Sequence, residues 1–246
     1  MSLPREWLVP GWPAAPNVRA FVTTRAGGVS TGDYASMNLG ATSGDEPGRV
    51  QRNRELVRAE LLADPAYLAQ VHGITVADLD AHGGADRPRA DAAVASRPGR
   101  VAVVLTADCM PVFFSDRAGR RVGVAHAGWR GLAAGVLEAT LGSLRVPAAE
   151  VVTWMGPAIG PDAFEVGPEV KEAFERFDPA AASAFRAHVP GKFMADLYAL
   201  ARQRLARAGV REVHGGGFCT FHEPARFFSY RRVPKSGRMG AFIWME

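Results

Sequence analysis

Cysteine, lysine and long apolar runs are what this chain has least of. Only two cysteines, Cys109 and Cys219, stand in its 246 residues. A single disulfide would be a poor scaffold for a chain of this length, and unpaired thiols suit a reducing compartment, so the expected localisation is cytoplasmic. No stretch approaches the roughly 20 apolar residues of a membrane span. Residues 1–16, MSLPREWLVPGWPAAP, place prolines where a signal peptide needs an apolar run. Net charge is only +4, from 29 basic and 25 acidic residues. The basic residues are nearly all arginine, but they are scattered, which argues against a nucleic-acid partner. No coiled-coil seam or long exposed apolar stripe is evident, so a monomer is expected. No G-x-G-x-x-G follows a strand to open a helix, and no Walker A loop occurs, which removes two common nucleotide-binding designs.

What is present describes a globular protein with a sizeable core: hydrophobic residues make up 48% of the chain. Apolar runs predict strands over 18–23, 67–71, Val101–Thr106, 122–125, Val151–Met155, 213–219 and 241–245. Helical periodicity predicts helices over 48–62, 132–144, 168–177 and 196–208. In the last of these Leu197, Leu200, Ala201 and Leu205 share a face and Gly209 supplies a stop. The order lacks a regular βαβ rhythm, and some neighbouring strands are too close for a crossover helix, which forces antiparallel pairing. The expected fold class is α/β (α+β): layered mixed β-sheets flanked by helices, in a single domain over 1–246.

Three residues carry the chemistry. His72 lies in Gln70-Val71-His72-Gly73, Cys109 in Thr106-Ala107-Asp108-Cys109-Met110-Pro111, and His126 in His126-Ala127-Gly128-Trp129-Arg130-Gly131. Imidazole and thiolate are the ligands zinc prefers, and three of them leave a fourth position open, as in a catalytic site. The same residues also suit a Cys–His nucleophile pair. Each is expected just past the end of a strand, the usual way a rigid scaffold presents a site. Gly128 and Gly131 permit a tight turn into the helix expected from Leu132, whose N-terminus offers an anion site. Gly156-Pro157-Ala158-Ile159-Gly160-Pro161 is either a pocket wall or a strand-ending turn. His82, His188, His214 and His222 read as surface or structural residues. Gly28-Val29-Ser30-Thr31-Gly32 and His214-Gly215-Gly216-Gly217 mimic a serine elbow and a lipase oxyanion segment, but they occur in the reverse of that fold's order.

Taken in order along nearly the whole chain, several segments resemble the YfiH family, also called the multicopper polyphenol oxidoreductase or laccase-like family. They are Thr23-Thr24-Arg25 with Gly27-Gly28-Val29-Ser30, the three segments above, Ala90-Asp91-Ala92, Gly156-Pro157-Ala158-Ile159-Gly160, Phe164-Glu165-Val166 and Phe228-Ser229-Tyr230-Arg231-Arg232. The resemblance implies a layered α/β fold and phosphorolysis of adenosine, inosine or guanosine to base and ribose 1-phosphate. Methylthioadenosine phosphorolysis and adenosine deamination are implied for the same site, as is a zinc ion on His72, Cys109 and His126. Some family members are linked to peptidoglycan precursors, where a Cys–His hydrolase with Cys109 as nucleophile is the competing reading. The older family label implies a laccase. Six histidines and no His-x-His pair cannot furnish type 1 and trinuclear copper centres together. Copper remains an alternative occupant, because it outcompetes zinc for nitrogen and sulfur ligands. Phosphorolysis also calls for an anion clamp. Arg25 is the first choice, followed by Arg130 and Arg231. Gln70 is a candidate substrate ligand, and Asp108 a candidate partner orienting a metal ligand or a cap for its own turn.

Overall fold

The computed structural model describes residues 4–81 and 87–246. In chain order its elements are β1 (Val18–Val22), α1 (Pro47–Arg58), β2 (Pro65–Ala66), β3 (Val76–Asp78), β4 (Ala92–Ala95), β5 (Val101–Thr106), β6 (Met110–Asp116) and β7 (Val122–Ala127). Then follow α2 (Trp129–Ala134), α3 (Val136–Leu144), β8 (Val151–Met155), β9 (Glu165–Val166), α4 (Pro168–Glu175), β10 (Phe185–Ala187), β11 (Phe193–Ala195), α5 (Leu197–Arg207), β12 (Glu212–Gly215) and β13 (Met239–Met245).

Two sheets do most of the building. One has six strands in the order β12-β8-β6-β7-β4-β3, the other four in the order β1-β13-β5-β2. Both are mixed: β12–β8, β3–β4 and β2–β5 are parallel and the remaining pairs antiparallel. A small sheet, β10-β11-β9, lies apart from them.

Side chains alternating along the strands sort into three cores. On β13, Met239, Ala241, Ile243 and Met245 face one way and join Phe113 and Val124 of the six-stranded sheet. Phe242 and Trp244 face the other way, against Phe21, Val57 and Leu61. The outer face of the six-stranded sheet, with Val112 and Phe114, packs on Leu137, Leu141, Leu200 and Leu205 from α3 and α5. The result is four layers: α1, the four-stranded sheet, the six-stranded sheet, and the remaining helices. Both sheets are covered on both faces, which is why β5, β8 and β13 read as unbroken apolar runs.

The expected layered mixed-sheet fold is therefore present, with local corrections. The predicted strand over 67–71 does not form; the pairing there is confined to β2, Pro65–Ala66, just before it. Beyond it the backbone N–H groups turn away from β5: Ala69 donates to the Pro88 carbonyl and Val71 to the Asp91 carboxylate. The predicted helix over 132–144 is two helices, because Gly135 takes φ +106° and ends α2, which already begins at Trp129. The predicted strand over 213–219 stops at Gly215, where three successive glycines adopt positive φ. Strand β6 is unannounced in the sequence because Pro111 interrupts the run. It is tolerated at the second position, just before β8 joins the ladder at Val112.

One connection matters for function. β5 belongs to the four-stranded sheet and β6 to the six-stranded sheet, so the chain crosses between layers within Ala107, Asp108 and Cys109. Such a short crossing needs an unusual backbone, and Asp108 supplies it at φ +85°.

Candidate functional site

The layer crossing delivers Cys109 beside His72 and His126. The three ligand atoms lie within 4.8 Å of one another. Sγ of Cys109 stands 3.7 Å from Nε2 of His72, and the two imidazole rings meet edge-on with centroids 4.8 Å apart. Of the three expected strand-end placements only that of Cys109 holds approximately. His126 sits inside β7, opposite Pro111, and His72 follows irregular chain.

What holds the histidines is Asp91, whose side chain is fully buried. One of its oxygens, Oδ1, accepts hydrogen bonds from the His72 backbone N–H at 2.8 Å and from His126 Nδ1 at 2.9 Å. The other, Oδ2, accepts from the N–H groups of Val71 at 3.0 Å and Gly73 at 2.7 Å. This nest of donors is what keeps His72 at φ +59°, a conformation a non-glycine residue rarely adopts. It also fixes the His126 tautomer, leaving Nε2 for the cluster. Burial alone would raise the Asp91 pKa, but the His126 ring and the donated N–H bonds outweigh it and hold the carboxyl below its ordinary range. In the sequence, Ala90-Asp91-Ala92 belongs to the family pattern with no task evident for Asp91. The available signal was a lone carboxylate opening an apolar strand, since a buried charge must be partnered.

Electrostatics inside the cluster favour a thiolate. Burial pushes the Cys109 thiol up, yet His126 and then His72 draw it down to about 6. Burial pushes His126 down, while Cys109 and Asp91 together raise it to about 9. A thiolate and two imidazoles at this spacing fit one borderline-soft cation, since ligands bound at roughly 2.0–2.3 Å stand roughly 3–4 Å apart. Gly128 makes the approach possible: a Cβ there would lie 2.8 Å from Cys109 Sγ and 2.9 Å from a carbon of the His72 ring. Replacing Gly128 with alanine is therefore expected to lower metal affinity by about tenfold or more while leaving the fold intact. A competitive metal titration alongside a circular dichroism spectrum checks this.

The cluster opens into a cleft of about 560 Å³. Four arginines line it: Arg87, Arg130, Arg231 and Arg238. So do three aromatic rings, Trp129, Phe164 and Tyr230, each with an arginine stacked over it. Ile159 lines the cleft too, and its N–H donates to the Asp108 carbonyl, so the Gly-Pro loop serves as a pocket wall.

Other sequence-based expectations are redirected. Arg25 is not brought to the cleft. Its guanidinium donates to the carbonyls of Ala35 and Pro224 and stacks on Phe228, so it braces loops rather than waiting for an anion. Gln70 does border the cleft, but both ends of its amide are occupied by the Leu105 backbone, where it continues β5's edge pairing. Asp108 orients neither histidine. It accepts from the Thr220 hydroxyl at 2.6 Å and from the Arg231 N–H at 2.7 Å, tying the C-terminal loop to the layer crossing. The helix expected from Leu132 begins three residues earlier, at Trp129, as the six-residue α2. The serine-elbow look-alike is also structural. Ser30 is buried, donates to Asp45 and accepts from Asn53, while His214 faces Glu212 on β12. His188 pairs with Glu165 and His222 meets the Phe221 ring edge-on; His82 lies outside the described residues.

Comparison with known proteins decides the family. A family model described as multi-copper polyphenol oxidoreductase laccase matches residues 19–246. The chain belongs to this family. Within it, the chain is similar to a purine nucleoside phosphorylase of Pseudomonas aeruginosa, 53% identical over 241 residues that cover 98% of each protein. It is similar also to purine nucleoside phosphorylase YfiH of Escherichia coli, 50% identical and covering 97% of this chain and 98% of that protein. Among solved structures, a Neisseria meningitidis protein superposes with a TM-score of 0.96 at 49% identity, covering 98% of this chain and all of that one. YlmD from Geobacillus stearothermophilus superposes at 0.92 with 30% identity, covering 100% and 98%. These likenesses bear out the layered mixed-sheet expectation. No helix among the described residues is long and apolar enough to cross a membrane.

Proposed function

We propose that this protein is a metal-dependent purine nucleoside phosphorylase, acting on adenosine, inosine or guanosine with phosphate to give base and ribose 1-phosphate. The observation that carries the reading is the opening of the His72–Cys109–His126 cluster into a cleft lined by both aromatic rings and arginines. Rings suit a purine face, and guanidinium forks suit phosphate. The names borne by relatives of 53% and 50% identity support the same reaction.

In this reading His72, Cys109 and His126 hold zinc, the ion their donor set suits, with copper as an alternative occupant. A cation there supplies Lewis-acid polarisation to a substrate atom. The chain's own residues do the rest. Asp91 holds the ligands, the aromatic rings orient the purine, and the arginines aim phosphate at C1′, where the transition state has oxocarbenium character. The protein is taken to work as a monomer on small molecules, with no nucleic acid and no membrane involved, in the cytoplasm. Methylthioadenosine phosphorolysis and adenosine deamination are further activities of the same cleft. The second reading, a Cys–His hydrolase, has one observation in its favour: the depressed Cys109 thiol beside His126.

The test is incubation of purified protein with inosine and phosphate. The expected result is ribose 1-phosphate formed in step with hypoxanthine, and none without phosphate. Base release that ignores phosphate would overturn phosphorolysis. Adenosine converted to inosine without phosphate would establish the deaminase activity separately.

A further inference from the structure

The four cleft arginines are not equivalent, and their surroundings single one out. Arg130 is exposed and lies over Trp129. Arg231 is exposed and gives one nitrogen to the Glu165 carbonyl. Arg87 is exposed and donates Nε to the Leu68 carbonyl. Arg238 differs from them in burial, and two further features equip it for an anion.

First, it alone of the four is partly buried, and like them it has no ion pair among the described residues. The buried Arg204 provides the contrast, since its guanidinium is paired with Glu138 at 2.8 Å. A half-buried cation without a carboxylate partner has lost part of its solvation, which an arriving anion offsets. Second, its donors are divided, as those of Arg231 are. Nη1 is engaged by the Ser236 and Gly237 carbonyls, at 2.6 Å and 3.0 Å. Nε and Nη2 have no partner among the described residues, and that edge of the guanidinium is the one that meets two oxygens of a phosphate side by side. Third, its position is fixed in advance. The Arg238 N–H donates to Asn38 Oδ1, and its carbonyl accepts from the Leu39 N–H. Gly40 leaves room for its stem, as a Cβ at residue 40 would fall 2.7 Å from Arg238 Cγ. Arg238 lines the same cleft as His72, Cys109 and His126.

We infer that the Nε–Nη2 edge of Arg238 is the phosphate subsite of the cleft, holding the inorganic phosphate next to the His72–Cys109–His126 cluster. The inference rests on the phosphorylase reading for the identity of the anion. It depends on geometry alone for the site. A preset donor edge loses little orientational freedom on binding, which is what makes an anion subsite selective and effective. Arg130 and Arg231 then act at the cleft's rim, where solvent screens their charge.

The experiment compares wild-type protein with Arg238→Gln and Arg238→Lys. Phosphate KM is measured at saturating inosine, inosine KM at saturating phosphate, bound metal by elemental analysis, and the unfolding midpoint with and without inorganic phosphate. Charge-assisted bonds of this kind are expected to raise phosphate KM about 100-fold in Arg238→Gln. Arg238→Lys, which keeps the charge and loses the paired donors, is expected to raise it about tenfold. Inosine KM and metal content stay unchanged, and the phosphate-induced rise in unfolding midpoint disappears in Arg238→Gln. Phosphate KM matching wild type in both variants overturns the inference and leaves the phosphorylase reading standing. If wild-type protein shows no phosphate-dependent turnover, the phosphorylase reading falls, and the unfolding data decide the subsite. A phosphate shift lost in Arg238→Gln sustains it, and no shift overturns it.

Discussion

Cys109→Ser is expected to lose the bound metal and to reduce phosphorolysis by about a thousandfold or more. Cys109 contributes the only negative charge in the cluster, and its thiol titrates near 6 because His126 and His72 outweigh the effect of burial. A serine hydroxyl stays neutral at that pH and is a far harder donor, so the site loses both charge and softness in one change. The fold should survive, since the substitution is nearly isosteric and the turn is held from elsewhere by Asp108, Thr220 and Arg231. The measurements are metal content after purification without added metal, and ribose 1-phosphate release. The same variant separates the two readings of the cluster. Wild-type protein that stays fully active in a strong chelator, yet is inactivated stoichiometrically by a thiol reagent, would establish a nucleophile instead. In metal-stripped protein, alkylation of Cys109 should accelerate as pH rises through about 6, well below the ordinary thiol range.

The second large effect is expected from Asp91→Asn. The carboxylate accepts from three backbone N–H groups and one imidazole, with nothing of it exposed. An amide keeps one accepting oxygen but turns its NH2 toward donors, so at least two N–H groups lose their acceptor. The expected cost is about 3 kcal/mol of stability. Metal affinity should fall about 10–100-fold, the usual effect of removing an outer partner of a ligating histidine. The pH dependence has a defined sign. The folded pKa of Asp91 lies below its unfolded value. Its contribution is therefore complete above the ordinary carboxylate range and is lost as pH falls through the folded value. Wild-type protein should lose stability on that acid limb, and Asp91→Asn should start lower and show a shallower limb. Urea unfolding across pH, with competitive metal titration at neutral pH, measures both. Unaltered metal affinity in a stable Asp91→Asn protein would show that the histidines are positioned by other means.

How much was visible beforehand differs between the two halves of the problem. Strands β5, β8 and β13 were legible because they are buried on both faces and read as unbroken apolar runs. Helix α5 was legible from its apolar face, and its start is the Asp196 side chain accepting from the Ala199 N–H. Strand β6 was hidden by Pro111, since a local rule against proline in strands cannot see that β8 joins one residue later. Residues 67–71 looked like a strand because apolar composition does not reveal where backbone N–H groups will be satisfied. Here they go to a carboxylate 20 positions away.

The composition of the three-ligand cluster was legible from residue chemistry, because imidazole and thiolate are ligand types and each stands in a sharply punctuated segment. Its architecture was not. Asp91 holds His72 through backbone bonds and His126 through its ring, at separations of 19 and 35 residues. Arg25 stands in a segment of the family pattern, yet Arg238, inconspicuous in sequence, is the partly buried guanidinium that the fold places in the same cleft as the cluster with donors to spare. Ligand types and apolar periodicity are local properties, and the sequence by itself determined them. Which carboxylate meets which imidazole, and which guanidinium is left unpaired, depends on contacts across two sheets and a layer crossing. Only the tertiary structure decided those.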